Sequence, residues 1–380
     1  MFTEEKKRLC QKVDALEAEM TRLSLALHAR PELGNEEYEA MRLLTDASRM
    51  QGFHVTQGAA GLPTAFLAKR GDSGPKIAFL AEYDALPGLG HACGHNLIAS
   101  MSFGAAAAFA ALTTSQAQTY FIGCPAEETQ GGKIALTNAG VFNGFDAIFI
   151  VHPSDETTLG GTSLASHPLC VRFHGREAHV ASRSERGINA LDALVLFYQG
   201  LQGLRLRFGE QALIAGIITA GGTAPNIVPA LAEMKCTVRS LSSDYLEQQV
   251  LPAVRALATG IAEGTGATVT LEHYEPLFKE LIQNTDLAAY FAENLRLLGE
   301  PVRQLPDNDA GGSTDVGNVS HVAPTLHPEL SIGDGLTAHT PAFAQAAGST
   351  AAQKRALVGA KAMAMSAWDI CLQNTKRSLL

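Results

Sequence analysis

The chain has 380 residues and a formal net charge of −9 at pH 7, with 46% of its residues hydrophobic and 18% charged. This composition is typical of a globular protein with a large core and argues against a disordered chain. Because 38 acidic residues outnumber 29 basic ones, phosphate backbones and anionic lipid surfaces would be repelled. We therefore expect neither nucleic acid nor a membrane as a partner.

The chain shows no sign of a targeting segment. Residues 1–8 are rich in charge and no apolar run follows them, so we predict no signal peptide. Residues 97–112 form the most apolar stretch, but Ser100, Ser102 and Gly104 interrupt it and it is short for a membrane span, which favours a buried helix. The six cysteines are scattered without a framework spacing, which predicts reduced thiols and a cytoplasmic location.

Helices and buried strands alternate in the first part of the chain. The pattern predicts helices over residues 5–29 and 36–51, and Pro31 ends the first of them. Three apolar runs, over residues 76–81, 119–123 and 146–151, are predicted to be buried strands, with helices over residues 97–112 and 133–139 between them. Continuous apolar strands that alternate with helices predict an α/β fold with a mostly parallel sheet flanked by helices.

The order of elements changes from residue 168 onward. Strands over residues 169–173, 212–219, 231–240 and 267–273, with helices over residues 189–207 and 244–263, follow the β-α-β-β-α-β order of a ferredoxin-like unit. Helices over residues 286–298 and 351–371 come after it. We therefore predict a catalytic domain formed by residues 1–167 and 278–380, into which a ferredoxin-like βαββαβ domain of residues 168–277 is inserted.

Side chains that can bind a metal follow each of the three predicted strands of the catalytic domain. In chain order they are Glu82, Asp84, Cys93 and His95 after the first strand, Glu127 and Glu128 after the second, and His152 after the third. Ligands bind beyond the carboxyl ends of the strands in an open parallel sheet. We therefore expect these side chains to converge at one edge of the sheet.

Cys93 and His95 are separated by Gly94, and in an extended segment such a pair points the same way. A thiolate and an imidazole together favour zinc or another borderline metal. The alternative is a buried cysteine beside a core histidine, which would be preferred for an isolated Cys-x-His. Here the glutamate pair and His152 also follow predicted strands, which favours a metal site over a buried cysteine beside a core histidine.

Glu127 and Glu128 are adjacent, so their side chains diverge. One can bind a metal while the other acts as the base that takes a proton from an attacking water. The alternatives are a solvated helix start, where acidic residues are common, and a structural role for the strand-end His152. His339, in the loop before the last helix, is a further candidate ligand, and His327 competes with it for the same role.

Six segments together resemble one superfamily of di-metal amidohydrolases and peptidases, which includes the aminoacylases, glutamate carboxypeptidases, p-aminobenzoyl-glutamate hydrolases and indole-acetyl-amino-acid hydrolases. These segments are residues 82–87 (EYDALP), 91–95 (HACGH), 125–128 (PAEE), 221–226 (GGTAPN), 313–320 (STDVGNVS) and 338–340 (AHT). The resemblance spans nearly the whole chain in order. Within this superfamily, the chain most resembles the branch of aminoacylase-like dipeptidases and aminobenzoyl-glutamate hydrolases.

The resemblance implies roles for the residues of the catalytic domain. It implies two divalent metal ions, Zn or Mn with Co as a further possibility, held by Cys93, His95, Glu128, His152 and His339. Glu127 would be the general base and later the acid that protonates the leaving amine. Cys93 falls where a bridging ligand lies, and Asp84 would orient a ligand.

The inserted domain matches the lid of the superfamily, which is also its dimerisation surface, so a homodimer is expected. In this domain the resemblance implies that His179 polarises the scissile carbonyl and that Asn226 and Arg239 contact the substrate. The guanidinium of Arg239 suits a carboxylate. Without the resemblance, a solvated loop for His179 and a strand-surface charge for Arg239 would be the preferred interpretations.

The implied activity is metal-dependent hydrolysis of an amide bond in an N-acyl amino acid, a dipeptide or an aminobenzoyl-glutamate-like substrate with a free carboxylate. Asn96 departs from the aspartate that follows Cys-Gly-His in this branch, and we expect it to tune a ligand rather than to abolish metal binding. An aminopeptidase would need an acidic anchor for a free amine, and the sequence identifies none. A non-catalytic metal-binding or scaffolding protein that retains the fold is the alternative outside the enzymes.

Overall fold

The computed structural model describes residues 2–182 and 186–377. Its helices are α1 (Glu4–Ala15), α2 (Glu17–Ala29), α3 (Tyr38–Met50), α4 (His95–Thr113), α5 (Gly132–Asn138), α6 (Ala190–Phe208), α7 (Ser243–Tyr245), α8 (Leu251–Thr265), α9 (Thr285–Leu297), α10 (Val316–Ser320), α11 (Pro341–Ala347) and α12 (Thr350–Arg377). Its strands are β1 (His54–Gln57), β2 (Phe66–Arg70), β3 (Lys76–Ala81), β4 (Gln118–Gly123), β5 (Ala147–Phe149), β6 (His152–Ser154), β7 (Thr158–Thr162), β8 (Ala165–His174), β9 (Ala178–His179), β10 (Leu213–Ala220), β11 (Ile227–Val228), β12 (Leu231–Ser240), β13 (Thr268–His273), β14 (Arg303–Ala310), β15 (Thr325–Leu326) and β16 (Glu329–Ser331).

The chain divides into two compact units. The first contains the described residues up to Thr162 together with Leu281–Asp309 and those from Asn318 onward, and the second contains Ser163–Glu280 and Ala310–Gly317. The predicted inserted domain of residues 168–277 lies within the second unit. The segment Ala310–Gly317, which the sequence assigns to the catalytic domain, packs with the second unit instead.

The main sheet of the first unit has the strand order β1-β2-β4-β3-β5-β15. The strands β4, β3, β5 and β15 run parallel, and β2 and β1 continue the sheet in antiparallel fashion. Residues Ile77 to Ala81 of β3 are buried, as expected for a strand covered on both faces. The prediction of a mostly parallel sheet flanked by helices is confirmed.

The apolar helix α4 lies in the core of this unit. By length and composition it could cross a membrane, but 89% of its most apolar window is buried within the fold. Two of the polar residues that interrupt its sequence are satisfied by the backbone, because Ser100 donates to the Met20 carbonyl at 2.9 Å and Ser102 to the Leu80 carbonyl at 2.5 Å. Buried hydroxyls that find such partners cost little, so the helix packs as an apolar one.

Two details of the first unit differ from the sequence prediction. The predicted helix over residues 5–29 is two helices that break at Leu16, with α1 packed on α12 and α2 on α4. The third predicted strand is shorter, since β5 ends at Phe149 and His152 begins β6 in another sheet, of order β14-β7-β16-β6. Both differences arise from long-range packing that local periodicity does not record.

The second unit contains an antiparallel sheet of order β10-β12-β8-β13. In order along the chain, the strands of this sheet are β8, β10, β12 and β13, so the spatial order is 2-3-1-4, which is the ferredoxin-like arrangement read from the opposite edge. The helices α6 and α8 pack against its buried residues, which form a core of their own. A separate two-stranded antiparallel sheet of β9 and β11 carries His179.

Candidate metal centre

Cys93 and His95 flank a glycine at the start of α4. Gly94 has a φ of +77° and is the N-cap of the helix. A Cβ at this position would lie 2.4 Å from Cγ of Pro153, so the backbone approaches β6 too closely for any other residue. The turn brings the two side chains next to His152, the first residue of β6.

One group of metal-capable atoms comprises the side chains of Cys93, His95 and His152, whose ligand atoms all lie within 4.8 Å of one another. The Sγ of Cys93 is 3.4 Å from Nε2 of His152. The Nδ1 of His152 lies 2.8 Å from the Pro153 carbonyl, so a proton on Nδ1 donates there and leaves the Nε2 lone pair facing the thiol.

A second group comprises Cys93, Glu128 and His339, again with all ligand atoms within 4.8 Å. The Oε1 of Glu128 is 3.3 Å from Nε2 of His339. His339 has a φ of +63°, an uncommon conformation for a non-glycine residue, and its amide donates to the Ala92 carbonyl at 2.9 Å. The two groups share Cys93, which is where the sequence resemblance implies a bridging ligand.

Asp84 connects the two groups through hydrogen bonds. Its Oδ1 lies 2.9 Å from Nδ1 of His95, and its Oδ2 accepts the backbone amide of Glu128 at 3.0 Å. Burial on its own would raise the pKa of Asp84, but His95 outweighs burial and lowers it. A charged Asp84 fixes the His95 ring so that Nε2 faces the centre, as the sequence predicts for an orienting carboxylate.

Glu127 lies with His95 and Glu128 in a third group of atoms within 4.8 Å of one another. The fold therefore places both glutamates at the same centre as the histidines. Glu128 belongs to the group that contains Cys93 and His339, whereas Glu127 does not. This difference agrees with one glutamate as a ligand and the other as a base.

The donor atoms themselves fit divalent cations. The Nε2 of His95 and the Oε1 of Glu128 are buried and make no hydrogen bond, although buried polar atoms almost always have a partner. Burial raises the pKa of the Cys93 thiol to about 12, so a thiolate there needs a cation in place of the proton. Thiolate, imidazole and carboxylate together match zinc and similar borderline metals.

A buried ion pair beside the centre was not predicted from the sequence. The Nζ of Lys133, on α5, is 2.5 Å from Oε1 of Glu82, and neither side chain is more than 1% exposed. The other carboxylate oxygen of Glu82 lies 3.4 Å from Nε2 of His95. Burial would raise the pKa of Glu82, but Lys133 and then His95 lower it to about 2, so the carboxylate is charged.

The geometry favours His339 over His327 as the candidate ligand. His339 lies with Cys93 and Glu128, whereas the ring of His327 packs 5.7 Å from that of His152 and belongs to none of the metal-capable groups of described residues. Burial, followed by His152, lowers the pKa of His327 to about 3. His327 is therefore a neutral neighbour of the centre.

In the second unit, His179 and Asn226 lie side by side. They are brought together by the pairing of β9 with β11, and the Nδ2 of Asn226 is 3.4 Å from Nε2 of His179. Arg239 lies on β12, and its Nε donates to Thr237 at 3.2 Å. The roles implied for these three residues in substrate binding stay predictions.

The side-chain amide of Asn96 makes its hydrogen bonds to residues outside the candidate ligand set. Asn96 is fully buried, and its side-chain amide donates to the Ser24 hydroxyl at 2.9 Å and to the Ala347 carbonyl at 3.1 Å. These contacts tie α4 to α2 and α11, and the expectation that Asn96 tunes a metal ligand stays a prediction.

An α/β fold with clustered thiol, imidazole and carboxylate groups beyond its parallel strands defines a hydrolase of the metal-dependent class. The model of the peptidase family M20/M25/M40 matches residues 78–353, and the chain belongs to this family. The M20 metallopeptidases and amidohydrolases are the group that the sequence motifs indicate, so the predicted class of enzyme is confirmed.

Curated relatives cover nearly the whole chain. An Xaa-Arg dipeptidase from Mus musculus is 38% identical over 96% of this chain and 88% of its own length. The Xaa-Arg dipeptidase from Homo sapiens is 36% identical with the same coverage. A p-aminobenzoyl-glutamate hydrolase chain from Escherichia coli (strain K12) is 30% identical over 95% of this chain and 91% of its own length.

Solved structures confirm the fold. A dinuclear metal-binding peptidase of the M20 family from Bacillus subtilis superposes with a TM-score of 0.68 at 24% identity, covering 93% of this chain and 99% of that one. An aminobenzoyl-glutamate utilization protein from Klebsiella pneumoniae superposes with a TM-score of 0.72 at 18% identity, covering 94% and 98%.

Proposed function

We propose that this M20 enzyme is a two-metal dipeptidase that cleaves an amide bond next to a free carboxylate. The observation that carries the proposal is that the groups Cys93–His95–His152 and Cys93–Glu128–His339 share one thiol. A shared thiolate is a natural bridge between two cations, and Zn or Mn, with Co as a further possibility, suits these donors.

Bound divalent cations would acidify a water molecule and polarise the carbonyl of the scissile amide. Glu127 belongs to neither of the two groups that contain Cys93. It acts as the base that takes a proton from the attacking water and then gives the proton to the leaving amine. Asp84 holds His95 and the Glu128 backbone in place during the reaction. His179 stabilises the oxyanion with a hydrogen-bond donor.

The substrate class follows from the relatives and from charge. Two relatives that span 96% of this chain are Xaa-Arg dipeptidases, so a dipeptide with a C-terminal arginine is the first candidate. The net charge of −9 favours a cationic substrate over an anionic one. Asn226 and Arg239 bind the substrate, and the planar guanidinium group of Arg239 forms two parallel hydrogen bonds with the terminal carboxylate.

We also propose a homodimer formed through the second unit. The strand β10 is at the edge of its sheet, and Leu213, Ile217 and Ile218 on this strand are 54%, 67% and 42% exposed. An apolar edge strand is a natural template for pairing with a second copy.

We further propose a cytoplasmic location. The six cysteines, none of which forms a disulfide, support it.

The proposal is tested with alanyl-arginine, alanyl-argininamide and p-aminobenzoyl-glutamate. Protein stripped by a chelator should be inactive, and added Zn²⁺, Mn²⁺ or Co²⁺ should restore hydrolysis of alanyl-arginine, read as amine release. Arg239→Ala should lower kcat/KM for alanyl-arginine at least about tenfold, with a smaller effect on the amide, because a charged hydrogen bond is worth about 1.5–3 kcal/mol.

Arg239→Lys is the matched control, since it keeps the positive charge and loses the planar guanidinium group that can form two parallel hydrogen bonds. Equal losses for the acid and the amide would make Arg239 a structural residue. Full activity in metal-free protein would contradict the metal-dependent mechanism. A metal-loaded protein that hydrolyses none of the three compounds would favour the scaffolding alternative.

A further inference from the structure

The residue before the glutamate pair has a strained backbone. Ala126 is fully buried and has a φ of +57°, in the left-handed region that residues other than glycine rarely adopt. Its carbonyl accepts the amides of Gln130 at 3.1 Å and Gly131 at 2.8 Å, which closes a tight turn around Glu127 and Glu128. The direction in which the two glutamates leave the backbone therefore depends on this conformation.

A buried carboxylate holds Ala126 in this conformation. The Oε1 of Glu37 accepts the amide of Ala126 at 2.8 Å, and its Oε2 accepts the hydroxyl of Thr64 at 2.8 Å. Glu37 precedes α3 and is fully buried, so both carboxylate oxygens are used within the fold. Strained conformations persist only where surrounding contacts determine them, and the hydrogen bond that the Ala126 amide donates to Glu37 is such a contact.

The same contacts lead to the segment after β3 that carries Asp84. The hydroxyl of Tyr83 donates to the Thr64 carbonyl at 2.6 Å, and Tyr83 is the residue next to Asp84. A Cβ at Gly34 would lie 2.9 Å from Cβ of Ala126, so the segment before Glu37 packs directly on the turn. The turn is thus fixed by Glu37 on one side and by the Asp84 bond to the Glu128 amide on the other.

We propose that Glu37 is a positioning residue for catalysis, whose carboxylate holds the Ala126 peptide in the left-handed conformation and thereby keeps Glu127 apart from Glu128 at the metal centre. The proposal rests on the proposed function, in which Glu127 is the base and Glu128 is a ligand. When Glu37 is removed, Ala126 relaxes towards negative φ and Glu127 moves, while Asp84 still holds Glu128.

Glu37→Ala should lower kcat at least about tenfold, because a displacement of about 1 Å costs about a hundredfold in rate. The KM should stay within about twofold and the metal content per chain should be unchanged, since neither substrate contacts nor ligands are removed. Glu37→Gln is the conservative control. Its amide oxygen still accepts from Ala126 and its NH₂ group donates to Thr64, so kcat should stay within about threefold of the parent enzyme.

The decisive variant is Glu37→Ala combined with Ala126→Gly. Glycine adopts positive φ without strain and keeps the same amide, so kcat should recover at least about threefold relative to Glu37→Ala alone. Ala126→Gly by itself should retain nearly full kcat. A merely structural role for Glu37 would lower the melting temperature of the metal-free protein and leave kcat per folded chain unchanged, and that result overturns the proposal.

Equal kcat in Glu37→Ala with and without Ala126→Gly would also overturn the proposal. If Glu37→Ala does not fold, Thr64→Val is the second variant, because it removes only the hydrogen bond to Oε2 of Glu37. It should cause a smaller loss of kcat, and Ala126→Gly should likewise recover that loss. A loss of kcat that Ala126→Gly does not recover would contradict the positioning role of Glu37. An active Glu127→Gln would defeat the proposed function itself. An inactive Glu127→Gln beside a fully active Glu37→Ala would defeat only the inference about Glu37.

Discussion

At the residue scale, substitutions of Glu127 and Glu128 are expected to affect different properties, kcat for Glu127 and metal content for Glu128. Glu127→Gln should keep the bound metal and lose roughly a hundred- to ten-thousandfold in kcat, because it removes a positioned base and no ligand. Glu128→Gln should lower the metal content, because Glu128 lies with Cys93 and His339. Elemental analysis and steady-state kinetics on both variants measure these outcomes, and equal loss of metal in both would contradict the assigned roles.

Residues at strand ends could be found from the sequence, and their distant partners could not. Cys93, His95 and Glu128 follow buried strands, and the position of such residues in a parallel sheet brings them together. Lys133 and Glu37 lack any such signal, because a lysine or glutamate near the start of a helix is ordinarily solvated. Only the tertiary packing shows that each is buried against a residue beside the centre, Lys133 against Glu82 and Glu37 against Ala126.

At the element scale, most helices were predicted within a few residues, but nine of the sixteen strands among the described residues were not predicted, namely β1, β2, β6, β7, β9, β11, β14, β15 and β16. The strand β12 has the predicted bounds, and the ferredoxin-like order of β8, β10, β12 and β13 is confirmed. The break between α1 and α2 was missed because Leu16 is no helix breaker by type. In the sheet that contains β6, the strands β6 and β16 were missed because they have three residues each, too few for a period to register.

The pairing of β8 with β13 predicts a pH dependence of the second unit. The Nδ1 of His167 lies 3.1 Å from Nε2 of His273, and burial, then His273 and Arg255, lowers the pKa of His167 to about 4. The unfolded chain binds this proton more strongly, so the stabilisation is complete above about pH 6.5 and is lost as the pH falls towards 4. The loss should be on the order of 2–3 kcal/mol for the metal-free protein.

Melting of the metal-free protein between pH 7.5 and 4.5 measures this dependence. His167→Asn should flatten the fall of the melting temperature with decreasing pH. Val171→Ala, a buried change on the same strand, should lower the melting temperature at every pH and keep the slope. An unchanged slope in His167→Asn would show that other groups control the acid transition.

At the scale of the whole molecule, the proposed dimer predicts that His179 serves the centre of the partner subunit. Glu127→Ala and His179→Ala, each nearly inactive alone, are unfolded and refolded as an equal mixture. Half of the dimers are then mixed, and each mixed dimer has one centre with both residues intact, so about a quarter of the parent activity should return.

A mixture of Glu127→Ala with His95→Ala is the matched control. Both changes affect the first unit, so no mixed dimer contains an intact centre and activity should stay at background. Differently tagged chains establish that subunits exchange. Background activity in the Glu127→Ala and His179→Ala mixture, with exchange established, would rule out the role in the partner's centre and leave the metal chemistry untouched.

The central claim is that two cations share Cys93, and a calorimetric titration of metal-free protein with Zn²⁺, sampled for hydrolysis of alanyl-arginine, tests it most directly. The claim predicts two equivalents bound per chain, full activity only after the second, and a loss of tight binding at both sites in Cys93→Ala. His339→Ala should weaken one site and spare the other, since His339 belongs to one group only. Full activity after one equivalent, or two intact sites in Cys93→Ala, would contradict the claim.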